Sequence, residues 1–170
     1  MSHHDVPGFS IGSESFQDGQ TLPPAQRGTA TGPGASDESP QLGWSGAPAG
    51  TRSYAVTVFD PDAPGRGGFW HWAVLDIPAE VTSLPAGAGA RNGGMLPPGA
   101  FQLKNDGGTS GYLGAAPPKG HGPHHYVVTV RALDIARSGL DAAASPAKLE
   151  SKLGAHTLAM ATLTGTYERH

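Results

Sequence analysis

Three stretches of this chain, residues 51–60, 69–77 and 126–133, contain neither glycine nor proline and are rich in β-branched and aromatic side chains, whereas the connections between them are dense in both breakers. Strand and helix interiors tolerate neither residue, so these gaps locate the regular elements. In the first, Tyr54, Val56 and Val58 alternate with Ala55, Thr57 and Phe59. Both sets are apolar or β-branched, which predicts a central strand covered on both faces. Residues 69–77, FWHWAVLDI, read as a second strand stopped by Pro78. Residues 126–133, YVVTVRAL, read as a third, whose Arg131 face reaches water.

A mainly helical answer is excluded by the 26 glycines and 16 prolines in 170 residues, because an interior Gly costs about 1 kcal/mol and an interior Pro about 3 relative to Ala. A Gly and Pro share of this size also raises disorder. Disorder calls for low hydrophobicity with high net charge, and this chain is 37% apolar with a formal charge of only −3. Long loops joining well-separated strands predict a loop-linked, sandwich-like antiparallel fold. Weaker strands are expected at 9–11 and 41–44.

The tail shows a different period. Ser145 before Pro146 reads as a helix N-cap with proline at the first helical position, and Leu149, Leu153, His156, Met160 and Leu163 form one apolar stripe. This predicts a helix stopped at Gly165, with Gly154 tolerated where it packs closely on the sheet, and a short last strand over 166–169. The length suits one domain over 9–170 behind a flexible arm at 1–8, whose His3 and His4 are left out of site arguments.

With no cysteine there is neither disulfide nor thiolate metal site. Residues 1–20 carry no basic n-region or apolar h-region, and no run approaches a membrane span, so a cytoplasmic protein without an integral membrane segment is expected. Eleven basic against fourteen acidic residues, without a basic block, leave no electrostatic footprint for nucleic acid.

Two loops concentrate polar groups at strand ends. Asp60-Pro61-Asp62-Ala63-Pro64 places two carboxylates in a turn stiffened by prolines. Either Asp could instead cap its own turn. The second loop, residues 111–126, runs GYLGAAPPKGHGPHHY. Its glycines allow backbone N–H groups to face an anion. His124 and Tyr126 fall on one side of the strand that begins there and His125 on the other. His121, His124 and His125, with Asp60 and Asp62, admit a metal reading. Imidazoles from one flexible segment with nothing to hold them argue against it, and no metal or cofactor is expected. His71, between Trp70 and Trp72, is either a core histidine or a group facing the same cavity as the Asp turn.

These two motifs, in this order and with the tryptophan-flanked His71 between them, resemble the phosphatidylethanolamine-binding protein family, in its bacterial Raf-kinase-inhibitor-like branch. The similarity extends through residues 9–23, Ser39-Pro40, Trp44-Ser45-Gly46 and the closing Gly165-Thr166-Tyr167-Glu168. The resemblance implies a mainly β fold of two antiparallel sheets with Greek-key connections and a C-terminal helix. It also implies an anion pocket lined by Asp60, Asp62, His71, Ala116, Pro117, Pro118, His124 and Tyr126, for phosphate or a phospholipid headgroup such as phosphoethanolamine. Modulation of a partner kinase or protease and pairing as a homodimer are further implications. Two positions depart from the family pattern: His125 stands where Arg is common, which weakens any salt bridge made there at neutral pH, and Gly114-Ala115-Ala116 lacks the small polar residues of several relatives. Mammalian members end in an additional helix where this chain stops at His170, so kinase control is not transferred to it. The expected role is non-catalytic binding. The alternative is a hydrolase or phosphoryl-handling enzyme using Asp60, His71 and His124 as acid and base, although no Gly-x-Ser-x-Gly elbow or metal-ligand helix motif is present.

Overall fold

The three long gaps in glycine and proline become the middle of one sheet. The computed structural model describes residues 6–65 and 67–170. In chain order the strands are β1 (Ser10–Gly12), β2 (Leu42–Ser45), β3 (Ser53–Asp60), β4 (Phe69–Pro78), β5 (Ser83–Leu84), β6 (Phe101–Gln102), β7 (His124–Leu133) and β8 (Thr157–Tyr167), with one short helix, α1 (Leu149–Leu153), before β8. The large sheet has the order β6-β4-β3-β7-β8 and the small one β1-β2-β5. All these pairs are antiparallel. Strands β3, β4 and β6 lie side by side and β7 returns to the far edge of β3, which is a Greek key.

Both faces of β3 are covered, as its two-sided apolar pattern predicts. Tyr54, Val56 and Val58 join Trp72, Val74, Val128 and Val130 in a core closed by Leu42, Trp44 and Leu84 of the small sheet. On the other face Ala55, Ala73, Leu75 and Leu133 pack against Leu149 and Leu153 of α1. Of the expected arm at 1–8, residues 1–5 lie outside the described residues, while Val6 packs against the core.

The C-terminal helix is much shorter than its apolar stripe predicts. It ends at Leu153, Gly154–His156 form a 3-10 turn, and Thr157–Tyr167 continue as the longest strand. There Thr157, Ala159, Ala161, Leu163 and Gly165 alternate inward, a period of two hidden inside the period of 3.6. The β7 edge decides between them: β8 pairs with it from Leu133↔Thr157 to His124↔Tyr167, satisfying a row of backbone groups that a helix would leave open. Gly165 therefore stops no helix. A Cβ there would lie 2.4 Å from Leu22 Cδ2 and 3.1 Å from Phe16 Cε2, so glycine is what lets residues 16–22 lie against the sheet. Gly154 closes the helix rather than packing within it, and the nearest neighbour of a Cβ there would be Glu150 Oε1 at 3.0 Å.

Candidate functional site

At one end of the large sheet, β3 finishes at Asp60, β4 enters at Phe69 and β7 enters at His124. The antiparallel register sets Asp60 opposite Phe69 and Phe59 opposite Val127, so both motif loops leave the sheet at the same edge. Between them lies a cavity of about 430 Å³. Asp60, His71, Ala116, Pro117, Pro118, His124 and Tyr126 all line it.

Asp60 and His124 form its buried centre. Their side chains are 3% and 2% exposed, and His124 Nδ1–H donates to Asp60 Oδ2 at 2.6 Å. Asp60 Oδ1 accepts the Asp62 N–H at 2.8 Å, so the carboxylate is held at both oxygens. Asp60 thus orients His124. His71 is oriented by another group: its Nδ1–H donates to the Leu113 carbonyl at 2.7 Å. The carbonyl can only accept, which fixes the tautomer and leaves Nε2 as the remaining nitrogen. Burial pushes the His71 pKa below its ordinary value, against the opposing pull of the Leu113 carbonyl and the Asp60 charge. Burial therefore leaves His71 neutral at pH 7, not cationic.

Tyr126 stands edge-on to His71, with ring centroids 5.2 Å apart. Its hydroxyl is buried and has no hydrogen-bond partner among the described residues. Burial, and then the nearby carboxylates, push its pKa up, so it remains a protonated donor. Ala116 avoids the left-handed region, and its N–H makes no hydrogen bond among the described residues. The replaced polar residues of this loop therefore cost it no backbone donor.

Asp62 does not line the cavity. Its Oδ2 accepts from the His125 N–H at 2.7 Å and from His125 Nδ1–H at 2.8 Å, on the exposed side of the turn. This hydrogen bond lowers the Asp62 pKa. His125 thus keeps a contact with the Asp turn from the position where Arg is common, and its exposed ring lies on the face opposite His124. His125 consequently does not converge with His124, and no group of three or more His, Cys, Asp or Glu side chains able to hold a metal is found among the described residues.

Other wall residues come from places the motifs do not mark. Gly28, Thr29 and Ala30 arrive because Gly28 N–H donates to the Ala115 carbonyl at 2.8 Å. Phe69, Leu113, Ala63 and Pro64 add apolar wall. Asp37 contributes a second carboxylate from a left-handed backbone, φ 53°, a conformation that Asp adopts more readily than most residues. Its Oδ1 accepts the Gly114 N–H at 2.8 Å. One peptide group, Leu113–Gly114, therefore holds His71 by its carbonyl and Asp37 by its N–H.

Two-sheet Greek-key architecture with this strand-end cavity defines a class, and the sequence comparison agrees. Residues 12–168 match the phosphatidylethanolamine-binding protein family. The chain belongs to that family of binding proteins. It is 45% identical to the UPF0098 protein YbcL of Escherichia coli (strain K12) over 160 residues, covering 94% of this chain and 87% of YbcL. The UPF0098 protein YbhB of the same organism is 43% identical over 155 residues, covering 91% of this chain and 97% of YbhB. The crystal structure of YbcL, described as a new member of the mammalian PEBP family, superposes with a TM-score of 0.91 at 44% identity, covering 96% of this chain and 99% of that one. A 34% identical relative in Mycobacterium tuberculosis (strain ATCC 25618 / H37Rv), sharing 94% of this chain and 72% of its own length, is named putative lipoprotein LppC. Among the described residues, no helix of this chain is long and apolar enough to cross a membrane.

Proposed function

We propose that the cavity binds a small phosphate-like anion, free or as the phosphoethanolamine headgroup of a lipid, and that the protein acts as a binding protein in the cytoplasm. One observation carries this reading: the Tyr126 hydroxyl is buried in the cavity wall without a partner. A buried unsatisfied hydroxyl costs about 1–3 kcal/mol, a penalty that a ligand oxygen removes. The His71 and His124 imidazoles and the Ala116 N–H are further groups suited to the same anion. An anion that approaches the His71 imidazole favours its charged form, so binding draws in a proton. Asp60 accepts from His124 at one oxygen and from the Asp62 N–H at the other, rather than facing the ligand as a bare charge.

The choice of phosphoethanolamine over plain phosphate is supported by Asp37. Its carboxylate lines the same cavity, forms no ion pair among the described residues, and is tied to the peptide that ties His71. An anion site with a carboxylate beside it suits a ligand carrying both charges. Association with a partner kinase or protease, and with a second copy of the chain, belong to the proposal on the family resemblance alone.

Calorimetric titration with phosphoethanolamine and inorganic phosphate tests the reading. Saturable binding of either, weakened by His71→Gln, supports it; heats no larger than dilution for both would refute it. The second reading, a hydrolase, rests on the Asp60–His124 pair at 2.6 Å as an acid/base unit. No Ser or Cys lines the cavity among the described residues, so the Thr29 hydroxyl or a water would have to attack. Turnover of phosphate or carboxylate esters that His71→Ala abolishes would favour the enzyme.

A further inference from the structure

His124 has one ring nitrogen left for a ligand, and a neighbouring side chain already holds it. With Nδ1 committed to Asp60, any anion must take Nε2. That atom lies 2.6 Å from Nδ1 of His121, one proton being shared across the contact. The ring centroids are 4.8 Å apart, a separation that fits nitrogens pointing at one another rather than stacked rings.

The two partners differ in freedom. His124 is 1% exposed and pinned by its strand and by Asp60. His121 is exposed and sits between Gly120 and Gly122, both left-handed, at φ 75° and 85°. Around both glycines the space is open, with no atom within 4 Å of an added Cβ. His121 does not line the cavity, so it reaches His124 from beside it.

We propose that His121 is a built-in competitor for the ligand, a latch on His124 Nε2 that must swing away before an anion can use that nitrogen. This rests on the reading of the cavity as an anion site. A latch closed most of the time multiplies every apparent dissociation constant by the reciprocal of the open fraction, whatever the ligand. One hydrogen bond of this kind corresponds to about a three- to tenfold effect. A residue that touched the ligand would instead change anions unequally.

The test titrates inorganic phosphate and sulfate into the wild-type protein and His121→Ala at one fixed pH. Both anions should bind about three- to tenfold more tightly to the variant, by the same factor. Equal or weaker binding overturns the latch, and so do unequal factors, which would make His121 a ligand contact. Imidazole ¹⁵N spectra give a second readout: saturating phosphate should move His121 Nδ1 from a hydrogen-bonded to a solvent-exposed shift. An unchanged His121 resonance at saturation contradicts the proposal. If neither anion binds either protein, the anion reading itself fails and takes the latch with it, a result distinct from binding that His121→Ala leaves unimproved.

Discussion

Asp60 Oδ2 and His124 Nδ1 lie 2.6 Å apart at the meeting of β3 and β7, joined by a hydrogen bond that is almost wholly shielded from water. The residues are 64 apart in sequence. The β3–β7 register that sets Phe59 opposite Val127 is what brings them together. Removing one member of such a buried pair costs on the order of 3 kcal/mol, because the other stays buried without its partner. Asp60→Asn should therefore lower stability by about that amount in denaturant unfolding. It should also weaken phosphate binding at least tenfold, since His124 loses the group that orients it. A variant with wild-type stability would show that the pair is ornamental to the fold.

His71 makes the protein acid-sensitive. Unfolded, its imidazole takes a proton near the ordinary pKa of about 6.5. Folded and buried, it resists protonation until the pH is lower. Over that interval the unfolded chain binds more protons, so stability is fully present above about pH 6.5 and is lost as pH falls toward the folded value. Thermal melts from neutral to acid pH should show this decline, and His71→Gln should flatten it. Anion binding runs the other way: a bound anion raises the His71 pKa, so affinity is greatest in acid and lost as pH rises through the bound-state value. Sulfate, whose charge is constant across this range, isolates the protein's protons. Sulfate affinity independent of pH would contradict the assignment of His71.

Asp37 supplies a charge test. With Asp37→Asn the Gly114 N–H retains an oxygen acceptor, so the loop is preserved. Wild type should prefer phosphoethanolamine to ethyl phosphate, its counterpart without the ammonium, and Asp37→Asn should erase that preference while leaving ethyl phosphate bound as tightly or more tightly. Competitive titration of the two compounds reads the ratio directly. The same ratio in both proteins would remove Asp37 from recognition.

Gly165 carries a prediction about the fold alone. Gly165→Ala drives a methyl group into Leu22 and Phe16, and overpacking of this kind costs about 1–3 kcal/mol. Urea unfolding should report that loss. Were the residue a helix stop at the surface, the same change would be close to neutral.

The last case also shows where sequence pattern fails. Strands β3, β4 and β7 were legible because apolar and β-branched residues fill them without glycine or proline, on both buried faces of β3 and at the alternating buried positions of β7. Leu149 and Leu153 were correctly helical, but the stripe continued through Met160 and Leu163 by coincidence of spacing. Only the unpaired edge of β7, a tertiary fact, converts Thr157–Tyr167 to strand. In the site, Asp60, His71, His124 and Tyr126 were legible since their loops are dense, local motifs at strand ends. Asp62 was drawn in by the family resemblance of its motif, yet β3 ends at Asp60, and past a strand end a spacing of two no longer places two side chains on one face. Asp37 was not legible. It enters through pairing of the segment around Arg27 with Ala115, almost ninety residues away, and one Asp in a Gly- and Pro-rich stretch carries no signal of that contact.

The central claim, that the cavity is completed by an anion, is tested most directly by comparing stability and binding in Tyr126→Phe. The change removes one oxygen that has no hydrogen-bond partner among the described residues. Calorimetric titration with inorganic phosphate, alongside thermal melts without it, gives both quantities. The account predicts a melting temperature equal to or a few degrees above wild type, with phosphate bound at least tenfold more weakly. A clear drop in melting temperature with phosphate affinity unchanged would mean that the hydroxyl serves the fold, and would contradict the account.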